Sequence, residues 1–447
     1  MKFSLEYISE RCGGRLSSAA NKNRIIDGFF SDSRQADNNK LFLALRGERV
    51  DGNAFVPDIV NKGCAALTDR EENRYLNGDC IFVNDVRKAL QKLAQSYREN
   101  EIKSIPIVGI TGSVGKTTTK DMVAVALSSS LNVHKTLGNS NSQIGLPQTV
   151  LATPEDVDCA VIELGMSMPG EMDRIAPCAK PDVSIITNIG YSHIENLGTR
   201  EAIRDEKLKI AAYSRDGSTL ILNGDEPLLK NREYPSNNVV FVSYDDCYCD
   251  CYAENVVESQ NGVEFTAVVH GKRINITLSV LGKHFVINSL FALAAAECLG
   301  ISLEKAASAL SDYQSDGKRQ HIFEKDGHTV ISDCYNASPE SMEAALSVLS
   351  KYNGRKIAVL GDMLELGTES VNLHKRVGSS VKLCADVLIT YGTLAKNIAS
   401  EAKDIIVYSF NKEESEQLLS FLKNFIKEGD TVLYKASNGM NLGRLIV

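Results

Sequence analysis

The chain has 447 residues, of which 43% are hydrophobic, and it carries a formal net charge of −8. This length predicts about three domains at roughly 150 residues each, whereas the negative charge argues against a general binder of nucleic acid or membrane surfaces, because such binders are basic. No apolar run approaches the ~20 residues that span a bilayer, and the scattered cysteines and charged N-terminus indicate a reduced, cytoplasmic protein without membrane insertion.

The first region, residues 1 to 84, mixes short apolar runs with turns, as in NRIIDGFFSDSR, KLFLALRGERVDGNAFV and DCIFVND. Short apolar runs between turn residues are typical of buried strands and short helices. We therefore expect a small α/β N-terminal domain, which contains no phosphate-binding loop.

From residue 85 to 318 the chain alternates predicted helices with buried strands. The run IPIVGIT is continuously apolar and ends at a glycine-rich turn, as a central parallel strand does, and a helix is expected from Lys120 to Ser129. DCAVIELG and PDVSIITNIG predict two more buried strands, whose polar C-terminal ends lie where ligands sit in open α/β sheets. Antiparallel strands are expected from about 240 to 281, before an amphipathic helix in NSLFALAAAECLG.

Residues 319 to 447 repeat the alternation and predict a C-terminal Rossmann-like α/β domain. Its strands are expected in HTVISD, RKIAVLGD, ADVLITYG, DIIVYSF and DTVLYKA. Its first helix should begin at Ser338-Pro339, since serine is a good N-cap and proline suits the first helical position. The predicted fold class is therefore α/β with three domains, of which the central one is a parallel-sheet, ATPase-like domain with a phosphate loop.

The stretch GITGSVGKTTTK, at residues 109 to 120, is the main candidate for nucleotide binding. A strand, a glycine turn and a helix start place backbone N–H groups and the helix dipole around a phosphate. Lys116 would neutralise phosphate charge, and Thr117 would ligate Mg²⁺. The usual motif G-x-x-x-x-G-K-[ST] has a glycine where this chain has Ile110. An ordinary strand-to-helix turn is the alternative, and the ordered strand, glycines, lysine and threonine disfavour it.

Two further side chains follow the neighbouring strands. Glu163 ends the strand of CAVIELG, where a metal-binding acid would face the loop, and Mg²⁺ prefers such hard oxygen ligands. A solvated carboxylate at a strand end is the alternative for Glu163. His193 lies just past the next strand and can reach the same crevice, although a lone histidine is more often structural.

A regulatory GTPase would need an N-K-x-D base-reading motif and a D-x-x-G switch. Neither pattern occurs in the chain; NKNR, NKGC and NKEE, for example, lack the aspartate. The sequence therefore argues against a GTPase switch.

The string GITGSVGKTTTK resembles the phosphate loop of the Mur ligases and their folylpolyglutamate synthase relatives, which has the form T-G-x-x-G-K-T. The resemblance continues through GNSNSQIGLP, VIELGMSMPGEM, NIGYSHIENLGT, GKHFVINSLFALAAA, SDCYNASPESM and LGDMLELG. It covers essentially the whole chain and accounts for the unusual spacing of the loop.

Within that family, DCYNASPESM and LGDMLELG are similar to the member that adds D-alanyl-D-alanine to UDP-N-acetylmuramoyl-tripeptide, whereas the tripeptide-forming member has D-Y-A-H-T-P. The resemblance implies an ATP-dependent ligase of peptidoglycan precursor synthesis that forms an amide through an acyl phosphate, with those two substrates as partners. We expect a monomer. The alternatives are another carboxylate–amine ligase of the superfamily, of the tripeptide-forming or folylpolyglutamate type, and more remotely a non-enzymatic nucleotide-binding module.

The resemblance also implies the residues that act on ATP. Lys116, Glu163, His193 and Lys207 would be catalytic, with Thr117 and Glu163 on one Mg²⁺ and His193 and Lys207 on a second. Lys207 would be carbamylated and so donate oxygen; composition alone would make it a surface lysine of the charged helix REAIRDEKLKI. The residues implied at ATP are Gly112, Ser113, Val114, Gly115, Lys116, Thr117, Thr118, Asn288, Arg319 and Asp333.

Substrate binding is implied on all three domains, with UDP on the N-terminal domain and the dipeptide near the C-terminal one. The chain departs from the family at Phe285, where asparagine is common, and in YKASNGM, which replaces a common K-G-S-R string. The residues implied at the substrates are Ser33, Arg34, Gly47, Asp51, Asn139, Asn141, Tyr335 and Asn336.

Overall fold

The computed structural model describes residues 2–47, 49–234, 238–259, 262–315 and 320–447. Within these residues, three successive stretches of chain form three α/β units, each around its own sheet: five strands between residues 15 and 82, nine between 107 and 278, and six between 321 and 435. The predicted α/β class with three units is confirmed. The boundaries after residues 84 and 318 stay predictions.

The first unit is built on a mostly parallel sheet beside a two-stranded antiparallel pair. Its elements are β1 (Phe3–Ser4), α1 (Leu5–Cys12), β2 (Arg15–Leu16), β3 (Ile25–Ile26), β4 (Gly28–Phe30), β5 (Lys40–Leu43), α2 (Val56–Asn61), β6 (Ala65–Thr68), β7 (Cys80–Phe82) and α3 (Val86–Asn100). The five-stranded sheet has the order β2-β7-β6-β5-β4, in which β4 to β7 pair in parallel and β2 pairs antiparallel with β7. Helix α3 packs on α1 and also on helices of the second unit, so it joins the two.

The second unit contains the phosphate loop. Its strands are β8 (Ile107–Thr111), β9 (Val133–Lys135), β10 (Cys159–Glu163), β11 (Val183–Ile186), β12 (Thr219–Asn223), β13 (Asn238–Val242), β14 (Cys251–Ser259), β15 (Gly262–Val269) and β16 (Lys272–Leu278). Their order is β16-β15-β14-β13-β12-β11-β8-β10-β9. The central strands β8, β10 and β11 pair in parallel and are fully buried, which explains their continuous apolar runs. The predicted antiparallel part is confirmed by the β14–β15–β16 pairings.

Helices cover both faces of this sheet. They are α4 (Lys116–Ser128), α5 (Gly145–Leu151), α6 (Met172–Ala179), α7 (Ile194–Leu197), α8 (Arg200–Ala212), α9 (Pro227–Lys230), α10 (Lys283–Cys298) and α11 (Leu303–Ser311). The predicted start of α4 at Lys120 is wrong, because Gly115 has φ 81° and turns the chain directly from the loop into a helix at Lys116. The prediction that α10 is amphipathic is also wrong. It packs between α4 and the sheet and is buried on nearly all sides.

The third unit has a parallel sheet with one antiparallel edge strand. Its elements are β17 (His321–Lys325), β18 (His328–Asp333), α12 (Pro339–Leu349), β19 (Lys356–Gly361), α13 (Ser370–Cys384), β20 (Val387–Tyr391), α14 (Lys396–Glu401), β21 (Ile406–Phe410), α15 (Ser415–Phe425) and β22 (Thr431–Lys435). The strand order is β17-β18-β22-β19-β20-β21, with β17 antiparallel. The start of α12 is confirmed, since Ser338 caps it and Pro339 is its first residue. Strand β17 was not predicted, because its half-exposed, partly charged sequence gives a weak apolar signal.

Across the described ranges, no helix is both long enough and apolar enough to cross a bilayer.

Candidate active site

A cleft of about 1200 Å³ opens where the carboxyl ends of β8, β10 and β11 face the end of β18 and the start of α12. Parallel strands present their C-terminal ends to ligands in folds of this kind. Several predicted site residues line the cleft: Ser113, Val114, Gly115, Lys116, Thr118, Asn141, Glu163, His193, Asn288, Asp333, Tyr335 and Asn336.

The loop between β8 and α4 keeps its shape through two glycines and the end of β11. Gly112 has φ 153°, and a Cβ at this position would lie 1.9 Å from the Thr187 hydroxyl oxygen, so a side chain does not fit here. Gly115 has φ 81°, which favours glycine. The Thr187 hydroxyl donates to the Val114 carbonyl at 2.6 Å. The loop geometry therefore depends on the neighbouring strand as well as on the motif itself.

Asn188, two residues after the end of β11, contacts the loop amides and was not predicted as a site residue. Its side-chain oxygen accepts the N–H of Ser113 at 3.1 Å and that of Val114 at 2.9 Å. Its place just past the apolar run of PDVSIITNIG is the signal that could have identified it.

Lys116 begins α4 and bends back over the loop. Its ammonium donates to the Gly112 carbonyl at 2.8 Å and to the Ser113 carbonyl at 3.3 Å. These bonds hold a positive charge at the mouth of the loop, next to the helix N-terminus, where an anion is stabilised.

Thr117 and Glu163 lie together below the loop. The Thr117 hydroxyl donates to one Glu163 carboxylate oxygen at 2.9 Å, and the Asn141 amide donates to the other at 2.6 Å. Glu163 is 1% exposed, and its backbone N–H donates to the Thr136 hydroxyl at 2.9 Å. A solvated strand-end carboxylate is therefore the wrong interpretation of Glu163. A hydroxyl beside a buried carboxylate is a donor set that fits Mg²⁺.

Lys207 lies on the buried face of α8 and not on the surface. It is 1% exposed, and its amine donates to the Gly112 carbonyl at 3.0 Å. Burial, with the nearby Lys116 charge as a second cause, holds the pKa of Lys207 well below the usual value for lysine. The surface-lysine interpretation is therefore wrong.

Asn288, on α10, has the donor half of its amide unused. The Thr119 hydroxyl donates to Asn288 Oδ1 at 3.0 Å, which fixes the orientation of the amide. Asn288 Nδ2 and the Ser113 hydroxyl are buried polar atoms without a hydrogen-bond partner in the part of the chain that the structure describes. Buried polar groups usually have partners. Both residues line the cleft, so these atoms fit a polar ligand bound there.

The opposite wall carries an ion pair. Lys435 Nζ lies 2.5 Å from an Asp333 carboxylate oxygen and donates to the Asn336 carbonyl at 3.1 Å. Lys435 is 1% exposed and lines the cleft. Lys435 was not predicted as a site residue. It is the lysine of YKASNGM, the string in which the chain departs from the common K-G-S-R, and that departure is the signal that could have identified it.

Family models match three successive parts of the chain. They are described as "Mur ligase family, catalytic domain" over residues 26–98, "Mur ligase middle domain" over 110–296 and "Mur ligase, glutamate ligase domain" over 318–438. The UDP-N-acetylmuramoyl-tripeptide--D-alanyl-D-alanine ligase of Bacillus subtilis (strain 168) is 39% identical over 100% of this chain and 98% of its own length. The chain belongs to the Mur ligase family.

Solved Mur ligase structures share the fold over nearly the full length of this chain. MurF from Acinetobacter baumannii superposes with a TM-score of 0.91 at 29% identity, covering 100% of this chain and 98% of that one. The MurF ligase from Thermotoga maritima in complex with ADP has a TM-score of 0.84 at 28% identity and covers 94% of this chain and 96% of that one.

Not all residues implied by the Mur ligase resemblance meet in the cleft. Arg34 pairs with Asp32 at 2.7 Å, and Asp51 pairs with Arg70 at 2.9 Å, both on the first unit. Arg319 lies outside the described residues. Three further predicted residues, Gly112, Thr117 and Lys207, do not line the cleft but belong to the phosphate loop or lie directly behind it. The other predicted residues that do not line the cleft are Ser33, Arg34, Gly47, Asp51 and Asn139.

His193 lines the cleft, and its side chain contacts a residue of the third unit. Its Nδ1 lies 2.5 Å from a Glu365 carboxylate oxygen. Among the contacts of the described residues, none joins His193 to Lys207. The predicted pairing of these two on a second metal therefore stays a prediction.

Proposed function

We propose that this Mur ligase joins the amine of D-alanyl-D-alanine to the terminal carboxylate of UDP-N-acetylmuramoyl-tripeptide, with conversion of ATP to ADP and phosphate. The observation that carries the proposal is the end-to-end similarity to a ligase of that name, at 39% identity over 100% of the chain. The cleft supports it, because a phosphate loop faces a second polar wall across a space large enough for a nucleotide and a peptide.

The reaction has two steps. The tripeptide carboxylate attacks the γ-phosphorus of ATP, ADP leaves, and an acyl phosphate forms. The dipeptide amine then attacks the acyl carbon, loses a proton, and expels phosphate from a tetrahedral intermediate. ATP is required because a carboxylate is a poor electrophile, whereas an acyl phosphate carries a good leaving group. The protein's part is to position the reactants and offset charge.

The loop side chains supply that positioning. Lys116 would leave the Gly112 and Ser113 carbonyls to contact the β- and γ-phosphates, and Thr117 with Glu163 would hold Mg²⁺. Bound Mg²⁺ would screen the repulsion between the incoming carboxylate and the triphosphate. The described residues contain no group of three or more His, Cys, Asp or Glu side chains that could hold a metal by themselves. The phosphates would therefore complete the coordination.

Lys207 is proposed to be carbamylated. An amine in its neutral form can add to CO₂, giving a carbamate anion and a proton, and burial favours that form by lowering the pKa of Lys207. The anion would lie near Lys116, whose charge already acts on this amine, and would offer oxygen to a second Mg²⁺. His193 would serve that same metal.

Each of the three units is proposed to bind a different substrate or part of a substrate. Residues 1–84 would bind the UDP moiety through Ser33, Arg34, Gly47 and Asp51, 85–318 would bind ATP, and 319–447 would contribute the Tyr335 and Asn336 wall. Asn139 and Asn141 would contact the peptide arm. We propose that the reaction takes place in the cytoplasm, since its proposed substrates are ATP and a UDP-linked precursor. We propose a monomer, which light scattering on the purified chain would test.

The test of function is phosphate release with UDP-tripeptides that contain either diaminopimelate or lysine. We expect release only when tripeptide, ATP and D-alanyl-D-alanine are all present, because the acyl phosphate needs an amine acceptor. Single amino acids in place of the dipeptide should give little turnover. A preference for diaminopimelate, lysine or glutamate as the amine would show that the protein is another carboxylate–amine ligase of the superfamily. Nucleotide binding without amine-dependent turnover would show that it is a non-enzymatic binding module.

Asn288→Asp should weaken nucleotide binding without unfolding the chain. The change keeps the acceptor that Thr119 contacts, removes the unused donor and adds a carboxylate, so a buried hydrogen bond to the nucleotide is lost and any charge on the new side chain repels the phosphates. A loss of about 1.4 kcal/mol, or tenfold in the ADP dissociation constant, is expected. Calorimetric titration with ADP measures it. Asn275→Asp, on an exposed position of β16, is the matched control, and equal affinity in both variants would remove Asn288 from the site.

A further inference from the structure

Residues 362–369 of the third unit, here called the docking loop, contact the second unit next to His193. The Glu365 carboxylate lies 2.5 Å from His193 Nδ1, and the Glu365 carbonyl accepts the N–H of Glu195 at 3.2 Å. Gly367 packs so closely that a Cβ there would lie 3.1 Å from the Glu195 Cα. The docking loop therefore packs against residues 190–198, here called the His193 segment, through both side-chain and backbone contacts.

The docking loop is itself held firmly by its own unit. The Met363 N–H donates to His374 Nε2 at 3.0 Å, and the Leu364 N–H donates to the Ser437 hydroxyl at 2.9 Å. Leu366 is buried at 1% exposure. Because the residues on either side are fixed, the Glu365 carboxylate is presented at a defined position relative to the third sheet.

Two more contacts from the third unit reach the start of the His193 segment. The Arg376 guanidinium lies 6.0 Å from the centre of the Tyr191 ring, within reach of a cation–π interaction. A Cβ on Gly190 would lie 2.9 Å from the Glu340 carboxyl carbon. The segment that carries His193 is thus bounded along its length by the third unit.

Both members of the pair have unusual backbones. His193 has φ 65° and Glu365 has φ 63°, a left-handed conformation that residues other than glycine rarely adopt. Such conformations persist where the surroundings impose them, and they cluster at functional sites. Here they aim the two side chains at each other across the junction between the units.

The chemistry of the pair follows from the two ring nitrogens. A carboxylate that accepts the Nδ1–H of a neutral imidazole fixes the tautomer and the ring orientation, and it leaves the Nε2 lone pair for a metal. His193 lines the cleft, so Nε2 is the nitrogen through which it would meet a cation.

We propose that Glu365 is a positioning residue for His193. It orients the ring so that Nε2 is available to a divalent cation, and it does so only while the third unit is docked on the second. Docking of the third unit therefore completes a site that belongs to the second. This inference deepens the proposed function and rests on His193 serving a metal there.

Glu365→Ala in the full chain tests this with two readouts besides turnover. The first is ¹⁵N NMR of histidine-labelled protein without ligands, in which His193 is assigned among the seven histidines by comparison with His193→Gln. The second is Mn²⁺ binding to the protein·ADP complex by EPR. Glu369→Gln changes a neighbouring carboxylate of the same loop and is the matched control.

We expect Glu365→Ala to lose the Nδ1-protonated tautomer of His193 and to weaken Mn²⁺ binding about tenfold or more, with Glu365→Gln intermediate and Glu369→Gln unchanged. If both readouts in Glu365→Ala match wild type, the inference is overturned, even if the unfolding temperature falls, because Glu365 is then only a tether between units. If the wild-type chain lacks amine-dependent turnover, the proposed function fails, while the NMR result still decides whether Glu365 sets the tautomer.

Discussion

Lys116→Ala should abolish ligase turnover, with a loss on the order of 10³-fold or more, as expected when a preorganised charge is removed from a phosphoryl-transfer site. The fold should survive, since Lys116 contacts loop carbonyls at the edge of the cleft and no apolar core. Phosphate release measures the loss, and thermal unfolding measures the fold.

The control for this change is Lys103→Ala, which removes an exposed lysine with the same change in net charge. It should retain wild-type turnover. Appreciable activity in a correctly folded Lys116→Ala variant would contradict the assignment of the phosphate loop. A large drop in its unfolding temperature would show instead that Lys116 stabilises the loop.

Lys207→Ala should also be nearly inactive, and a small carboxylate such as acetate or formate should restore part of its activity. The reason is that Lys207 is buried behind the loop, with its amine on the Gly112 carbonyl. Truncation to alanine leaves space, and a small acid can place an oxygen anion where the carbamate would lie. Phosphate release across a series of acetate concentrations measures the rescue.

The same acetate series on Lys116→Ala is the matched control, because that variant lacks a cation and an added anion cannot replace it. Near-normal activity of Lys207→Ala without added acetate would show that Lys207 has no catalytic role. An inactive variant without rescue would be decided by ¹³C NMR of the wild-type chain under ¹³CO₂, where the absence of a carbamate signal refutes the modification.

The sequence by itself determined the parts of the site that are close together along the chain. Strand β8, the glycine turn, Lys116 and Thr117 lie within about a dozen residues, so their arrangement follows from local backbone geometry and an apolar run. Glu163 could also be placed, because the C-terminal ends of parallel strands meet at one edge of a sheet. The resemblance to the Mur ligases added the remaining predicted residues.

Tertiary structure alone decided which side chains are buried and which partners they meet. Lys207 sits in a charged helix, and only the packing of α8 against the phosphate loop turns it into a buried amine. Glu365 and His193 are 172 residues apart, and no periodicity or motif spacing relates positions on different units. The physical reason is that backbone preference and hydrophobic pattern act over a few residues, whereas burial and ion pairing depend on which surfaces the folded chain brings together.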